Sequence, residues 1–135
     1  MISEMKQAIV NKLQELYPTY PIYMDDVPQS LTKPAFIIFL IEQEYKKRIN
    51  SKYTGRIRFD ISYYSDKPTA ETKLDSQTVQ ENLFREFDLM GTFRAINKKS
   101  EFVDNVLHFT FDIKYSEMKV EMEAQMKSQT TNTNI

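Results

Sequence analysis

Two groups of side chains in this sequence have the chemistry to act on something, one acidic and one basic. Asp25-Asp26, Glu42, Glu44 and Asp60 are the carboxylates that would have to converge on metal ions in a metal-dependent nuclease. The plainer reading is preferred: Asp25-Asp26 end a strand, and Asp60 faces solvent beside Arg58. The single histidine, His108, falls on the polar alternation of a strand, between Val106 and Thr110 and opposite Glu101. No convergent partners are visible for it, so a structural role is expected and no metal site is assigned. No serine sits in a nucleophile elbow, and with only Gly55 and Gly91 neither common phosphate loop can be built. Cysteine is absent, which removes disulfides, thiolate metal sites and cysteine nucleophiles. The expectation is a protein that is no enzyme and needs no cofactor.

The basic group is more distinctive. From Lys46 to Arg58 run six cations (Lys46, Lys47, Arg48, Lys52, Arg56, Arg58) with no acid among them. As a nucleic-acid patch the block would use Tyr45 and Tyr53 for stacking. As a solvated hairpin tip its charges would guard a sheet edge. As a protein-contact arm it would be steered onto an acidic neighbour. The third reading is favoured, with Lys46, Lys47, Arg48, Lys52 and Tyr53 as contact residues. A net charge of −1 argues against the whole chain binding nucleic acid, because phosphate neutralisation needs a basic excess. Met118, Met122 and Met126 recur at four-residue spacing after an apparently complete domain, and methionine suits adaptable contact surfaces, so they join the candidate assembly interface.

The elements that must position these groups follow from periodicity. A length of 135 residues suits one domain with its own core. The longest apolar run, Ala35 to Ile41, is far short of the ~20 residues a membrane span needs. No charged start followed by an apolar run precedes the first element, so cytoplasmic synthesis is expected. Ile2, Met5, Ile9, Leu13 and Leu16 mark a helix over residues 3–16, with Ser3 as N-cap and Pro18 as the stop. Residues 21–24 form a short extended piece and 27–34 a loop rich in breakers. Residues 35–41 and 56–64 are strands of a long hairpin whose tip passes through Asn50-Ser51-Lys52.

A second helix spans 69–90, with Val79, Leu83, Phe84 and Phe87 as its stripe, Leu74 off it, and Gly91 at C′. Strands over 93–102 and 106–115 surround the turn Val103-Asp104-Asn105-Val106. A strict two-residue hairpin there sets Lys98 opposite Phe111 and Ser100 opposite Phe109, so a bulge or an exposed end is expected. The order α-β-β-β-α-β-β makes an α+β domain over residues 1–116, two helices on a mostly antiparallel sheet. Residues 117–135 form a C-terminal extension: helix formers to Lys127, then a polar tail whose composition cannot order itself without a partner.

The run Glu4-Met5-Lys6-Gln7-Ala8-Ile9 with Leu16-Tyr17-Pro18-Thr19-Tyr20-Pro21-Ile22-Tyr23, then Pro34-Ala35-Phe36-Ile37-Ile38, Phe59-Asp60-Ile61-Ser62-Tyr63-Tyr64 and Val103-Asp104-Asn105-Val106-Leu107-His108-Phe109, resembles the bacteriophage tail-terminator family, of the kind found in PBSX-like prophages and contractile-tailed phages. The likeness runs from about Glu4 to about Tyr115 and rests on core and turn patterns rather than a catalytic signature. It implies a structural virion protein that forms a ring, usually a hexamer, on the last ring of the tail tube. Such a ring stops tube polymerisation, holds the sheath where there is one, and offers the surface on which head or neck proteins dock. DNA would pass it only as cargo, and no membrane partner is implied. Another neck or head-completion adaptor is the competing reading, with the carboxylate nuclease and a small nucleic-acid module behind it.

Overall fold

A computed structural model describes residues 1–49 and 52–118, with the backbone alone at 117 and 118. The elements are α1 (Ile2–Leu16), β1 (Ile22–Met24), β2 (Ala35–Lys47), β3 (Lys52–Tyr64), α2 (Thr69–Glu86), β4 (Leu89–Met90), β5 (Phe93–Arg94), β6 (Ile96–Val103) and β7 (Val106–Met118). The sheet order is β1-β2-β3-β7-β6, mostly antiparallel, and β4 and β5 form a separate two-stranded ribbon. One pair is parallel: β1 lies beside β2 with Tyr23 opposite Ile37. The expected α+β order therefore holds, with the small ribbon added.

The chain divides into two compact units, Met1–Gln43 with Ile57–Ile113, and Glu44–Arg56 with the chain from Lys114 onward. In the first unit α1 buries Met5, Ile9 and Leu13, the three- and four-residue spacing that the sequence showed. Phe59, Ile61 and Tyr63 of β3 and Leu107, Phe109, Phe111 and Ile113 of β7 are all but fully buried on alternate positions. Phe109 meets Phe84 edge-on, with ring centroids 5.1 Å apart, and Phe111 lies 5.5 Å from Phe87, so α2 rests on the middle of the sheet. Such aromatic pairs add about 0.5–1.5 kcal/mol each beyond the area they bury. Tyr17, Tyr20, Phe36 and Tyr63 form a second aromatic cluster, and Asn82 of α2 donates to the Tyr17 hydroxyl at 2.8 Å. Tyr63 in turn donates to Asp75 at 2.7 Å. Burial pushes the Tyr63 phenol far above the usual tyrosine range, and its bond to the Asp75 carboxylate pushes the same way.

Several boundaries differ from the sequence reading. α1 starts at Ile2 with Met1 as the cap residue, and Ser3 makes no capping bond. α2 ends at Glu86 rather than at Met90 because Phe87 turns into the core, where it is fully buried. The Phe84 carbonyl, freed by that end, accepts from Lys98 Nζ at 2.9 Å. Gly91 does take positive φ (64°), but it serves the tight β4–β5 turn, in which Met90 faces Phe93. The first turns of α2 bury Thr72 and Ser76 while Leu74 stays 68% exposed, the different packing that Leu74's place off the stripe suggested.

The β6–β7 turn is as expected, with Asp104 and Asn105 both at positive φ (51° and 64°). Ser100 lies opposite Phe109 and Glu101 opposite His108, and the register slips between Ile96 and Lys99. Asn97, at φ 53°, marks that bulge, and it spares Lys98 a place opposite Phe111. β2 and β3 are longer than expected, running to Lys47 and from Lys52, and β7 continues to Met118.

Candidate functional site

The second unit carries most of the predicted contact residues. Lys46 and Lys47 close β2, Lys52 opens β3, and all three are exposed. The backbone N–H of Arg48 donates to the Lys52 carbonyl at 2.5 Å, and Arg48 Nε donates to Thr54 Oγ1 at 3.0 Å. Strands persist through so many charges because of what lies between them. Tyr45 and Tyr53 stack across β2 and β3 with centroids 5.1 Å apart, and Tyr115 of β7 lies 6.3 Å from Tyr45. Arg56 reaches the Glu44 carboxylate with two nitrogens, at 3.4 and 3.3 Å. Gly55 has a steric reason: a Cβ there would collide with the Tyr115 ring, which lies over the bare backbone.

These residues frame a cleft of about 560 Å³ lined by Glu44, Lys46, Arg48, Arg56, Lys114 and Tyr115 among others. Lys46, Lys47, Arg48, Lys52 and Lys114 form no ion pair among the described residues. Concentrating unpaired cations costs self-repulsion, which an acidic partner would relieve. Because Tyr45 and Tyr53 cover each other, the stacking faces that a nucleic-acid reading needs are partly spent. Of the methionines, Met118 ends β7, while Met122 and Met126 lie outside the described residues.

The acidic group does not assemble. Asp25 pairs with Lys6 at 2.5 Å, Glu44 with Arg56, and Asp60 with Ser62 and His108. Among the described residues no three His, Cys, Asp or Glu side chains are placed to hold a metal ion. Nor does Asp60 face solvent: it is 7% exposed, and its Oδ1 has no hydrogen-bond partner. β7 lies beside β3 and sets His108, Thr110 and Asp112 against Arg58, Asp60 and Ser62, so the polar face closes on itself. Arg58 donates to Asp112 at 2.8 Å and to Thr110 at 2.9 Å, and Asn97 reaches the other Asp112 oxygen at 2.9 Å.

Ser62, His108 and Asp60 meet, but not as a catalytic triad. Ser62 Oγ and Asp60 Oδ2 both lie 3.1 Å from the same ring nitrogen, Nδ1, and Ser62 donates to Asp60 at 2.7 Å. A triad needs acid and nucleophile on opposite nitrogens, and Ser62 is fully buried. Sequence reasoning found the polar alternation in both strands but not their meeting, because nothing in the sequence makes β3 and β7 neighbours across some fifty residues. Tyr115, Lys114 and Arg56 were missed as cleft residues for the same reason.

The buried polar groups thus serve the sheet, while five cations of the second unit stand exposed with no ion pair among the described residues. A sequence model of the phage tail terminator protein family matches residues 4–125, and the chain belongs to that family. No curated protein matches the sequence. The chain is thus a structural protein of the virion tail that associates with other tail components.

Proposed function

We propose that this subunit assembles into a ring, a hexamer by the family's usual plan, which caps the tail tube and stops its polymerisation. The ring then presents the surface on which head or neck proteins dock, and holds the sheath where there is one. The observation that carries the reading within the family is the second unit. Five of its cations, Lys46, Lys47, Arg48, Lys52 and Lys114, lack acidic partners among the described residues, and Lys46, Arg48 and Lys114 line one cleft. Cations left in this state suit an acidic tail component and set its approach. Met118, Met122 and Met126 extend the same contact, the chain beyond Met118 meeting the same neighbour.

The test is Lys46→Glu, Lys47→Glu and Arg48→Glu together, introduced into the particle. The isolated protein should keep its melting temperature, since the three side chains are exposed and hold no ion pair among the described residues. Tails should become irregular in length or lack heads. Normal particles from this variant would reduce the block to a guard on a sheet edge.

A further inference from the structure

The basic cleft of the second unit occupies one face of its strands. Tyr115 lies over Gly55 on the opposite face, so alternation turns Lys114 and Ser116 of β7, and Thr54 and Arg56 of β3, to the cleft side. Glu44, paired with Arg56, brings Lys46 and Arg48 of β2 to that side as well. Four cations there stand against one acid, and Lys46, Arg48 and Lys114 hold no ion pair among the described residues. Lys46 and Arg48, two residues apart on a strand, repeat at about 6.7 Å.

The chain's own sequence contains a matching segment. β7 runs on to Met118, so it takes in the first residues of a stretch whose composition favours helix. Beyond it the alternation continues: Val120, Met122, Ala124 and Met126 are apolar, while Lys119, Glu121, Glu123, Gln125 and Lys127 are polar. That is a strand's period; a helix would turn Val120 and Ala124 away from the methionines. The family match also reaches residue 125. In an extended chain Glu121 and Glu123 share one side at about 6.7 Å, the spacing of Lys46 and Arg48.

We propose that residues 119–126 of one copy lie extended in the basic cleft of the next copy, with Glu121 and Glu123 against Lys46, Arg48 and Lys114. β7 runs opposite to β3, since Ser62 meets His108 and Arg58 meets Asp112, so the chain leaves the sheet toward the Lys52 end of β3. To reach its own cleft it would have to reverse at once, and residues 119–127 hold no Gly, Pro, Asn or Asp to make that turn. Extended, the eight residues after Met118 span roughly 27 Å, enough to cross to another copy's cleft. Met122 and Met126 then turn outward, where a further tail component can meet them. Segment and cleft are two different patches of one subunit, so the contact is heterologous, the kind that closes a ring. The inference rests on the ring reading and makes the acidic neighbour of these three cations a second copy of the chain.

The chain has no cysteine, so introduced cysteines report the contact directly. One full-length copy carries Glu121→Cys; a second, marked by an N-terminal tag, carries Lys46→Cys; the two are mixed and oxidised with diamide. Mixed dimers should form on non-reducing gels well above either variant alone, and above a control in which the tagged copy carries Lys73→Cys, an exposed position on α2. Adding Arg48→Glu and Lys114→Glu to the Lys46→Cys copy should cut the yield about tenfold, the factor that 1.4 kcal/mol of lost pairing gives. Glu123→Lys in the other copy should then recover part of that yield, which a misfolded cleft would not allow. A chain carrying both Lys46→Cys and Glu121→Cys should give a ladder of linked copies. A yield no higher than the control, a yield indifferent to the reversed charges, or an internal link without a ladder would each overturn the contact. If cross-linking fails while the triple reversal in the particle still spoils the tails, the cleft serves another acidic tail component: the contact falls and the capping reading stands.

Discussion

Arg58→Met probes the closed polar face where it is most vulnerable. Asp112 is 2% exposed, and its side chain is held by Arg58 at 2.8 Å and Asn97 at 2.9 Å. Removing the guanidinium takes an ion-pair partner from a buried carboxylate, a change that typically costs about 3–5 kcal/mol. Asn97 still serves Oδ2, so the lower end of that range, ~3 kcal/mol, is expected. For a domain near 100 residues that corresponds to a melting temperature lower by roughly 12 °C or more. Asp112→Asn should cost less, since its amide keeps an acceptor for one donor. The double variant should fall short of the sum of the singles by at least ~1.5 kcal/mol, as groups in one network do. Urea unfolding monitored by circular dichroism, with the slope of each transition compared, gives the three values. A cost below ~1 kcal/mol for Arg58→Met would refute the reasoning, because the pair would then behave as a solvated surface bridge.

Further outcomes follow from the same contacts. Tyr63, whose phenol is held protonated by burial and by Asp75, contributes stability that is fully present below the ordinary tyrosine value near 10 and lost as pH rises beyond it. Wild type should lose stability above about pH 10, and Tyr63→Phe should flatten that loss in pH-dependent melts. Asp88 is held below the ordinary carboxylate range by its hydrogen bond to Lys98, so its contribution is present above about pH 4 and lost as pH falls further. Lys98→Met should shrink the acid-side loss, read from melts between neutral and acidic pH. Gly55→Val should disrupt the Tyr45–Tyr53–Tyr115 cluster by evicting the Tyr115 ring, and Tyr115→Ala in the same chain should relieve part of the damage, seen in near-ultraviolet tyrosine dichroism.

How much of this was legible in the sequence differs by element. α1 and the core face of β7 were plain, because Met5, Ile9 and Leu13 recur at helical spacing and Leu107, Phe109, Phe111 and Ile113 at strand spacing, with nothing local in conflict. The bulge at Asn97 was legible as a conflict: a regular register would have buried Lys98. The true lengths of β2 and β3 were hidden, since the cations of residues 46–52 read as turn while the force extending the strands, Tyr45 on Tyr53 and Glu44 on Arg56, acts across strands. The end of α2 was misread because a fully buried Phe87 fits a helical stripe as well as it fits a chain leaving the helix. Asp60 misled for a similar reason. Its alternation with Phe59 and Ile61 marks the second face of β3, but only the neighbouring β7, with His108 and Asp112, makes that face an interior.

The most direct measurement is an averaged image of the tail at its head-proximal end, with this chain located by a tag on its C-terminus. The account predicts a single closed ring of it on the last ring of the tube, with the Lys46–Lys52 turn of each subunit against a neighbouring protein chain. Density for the chain along the tube, at the distal tip, or only inside the capsid would contradict it.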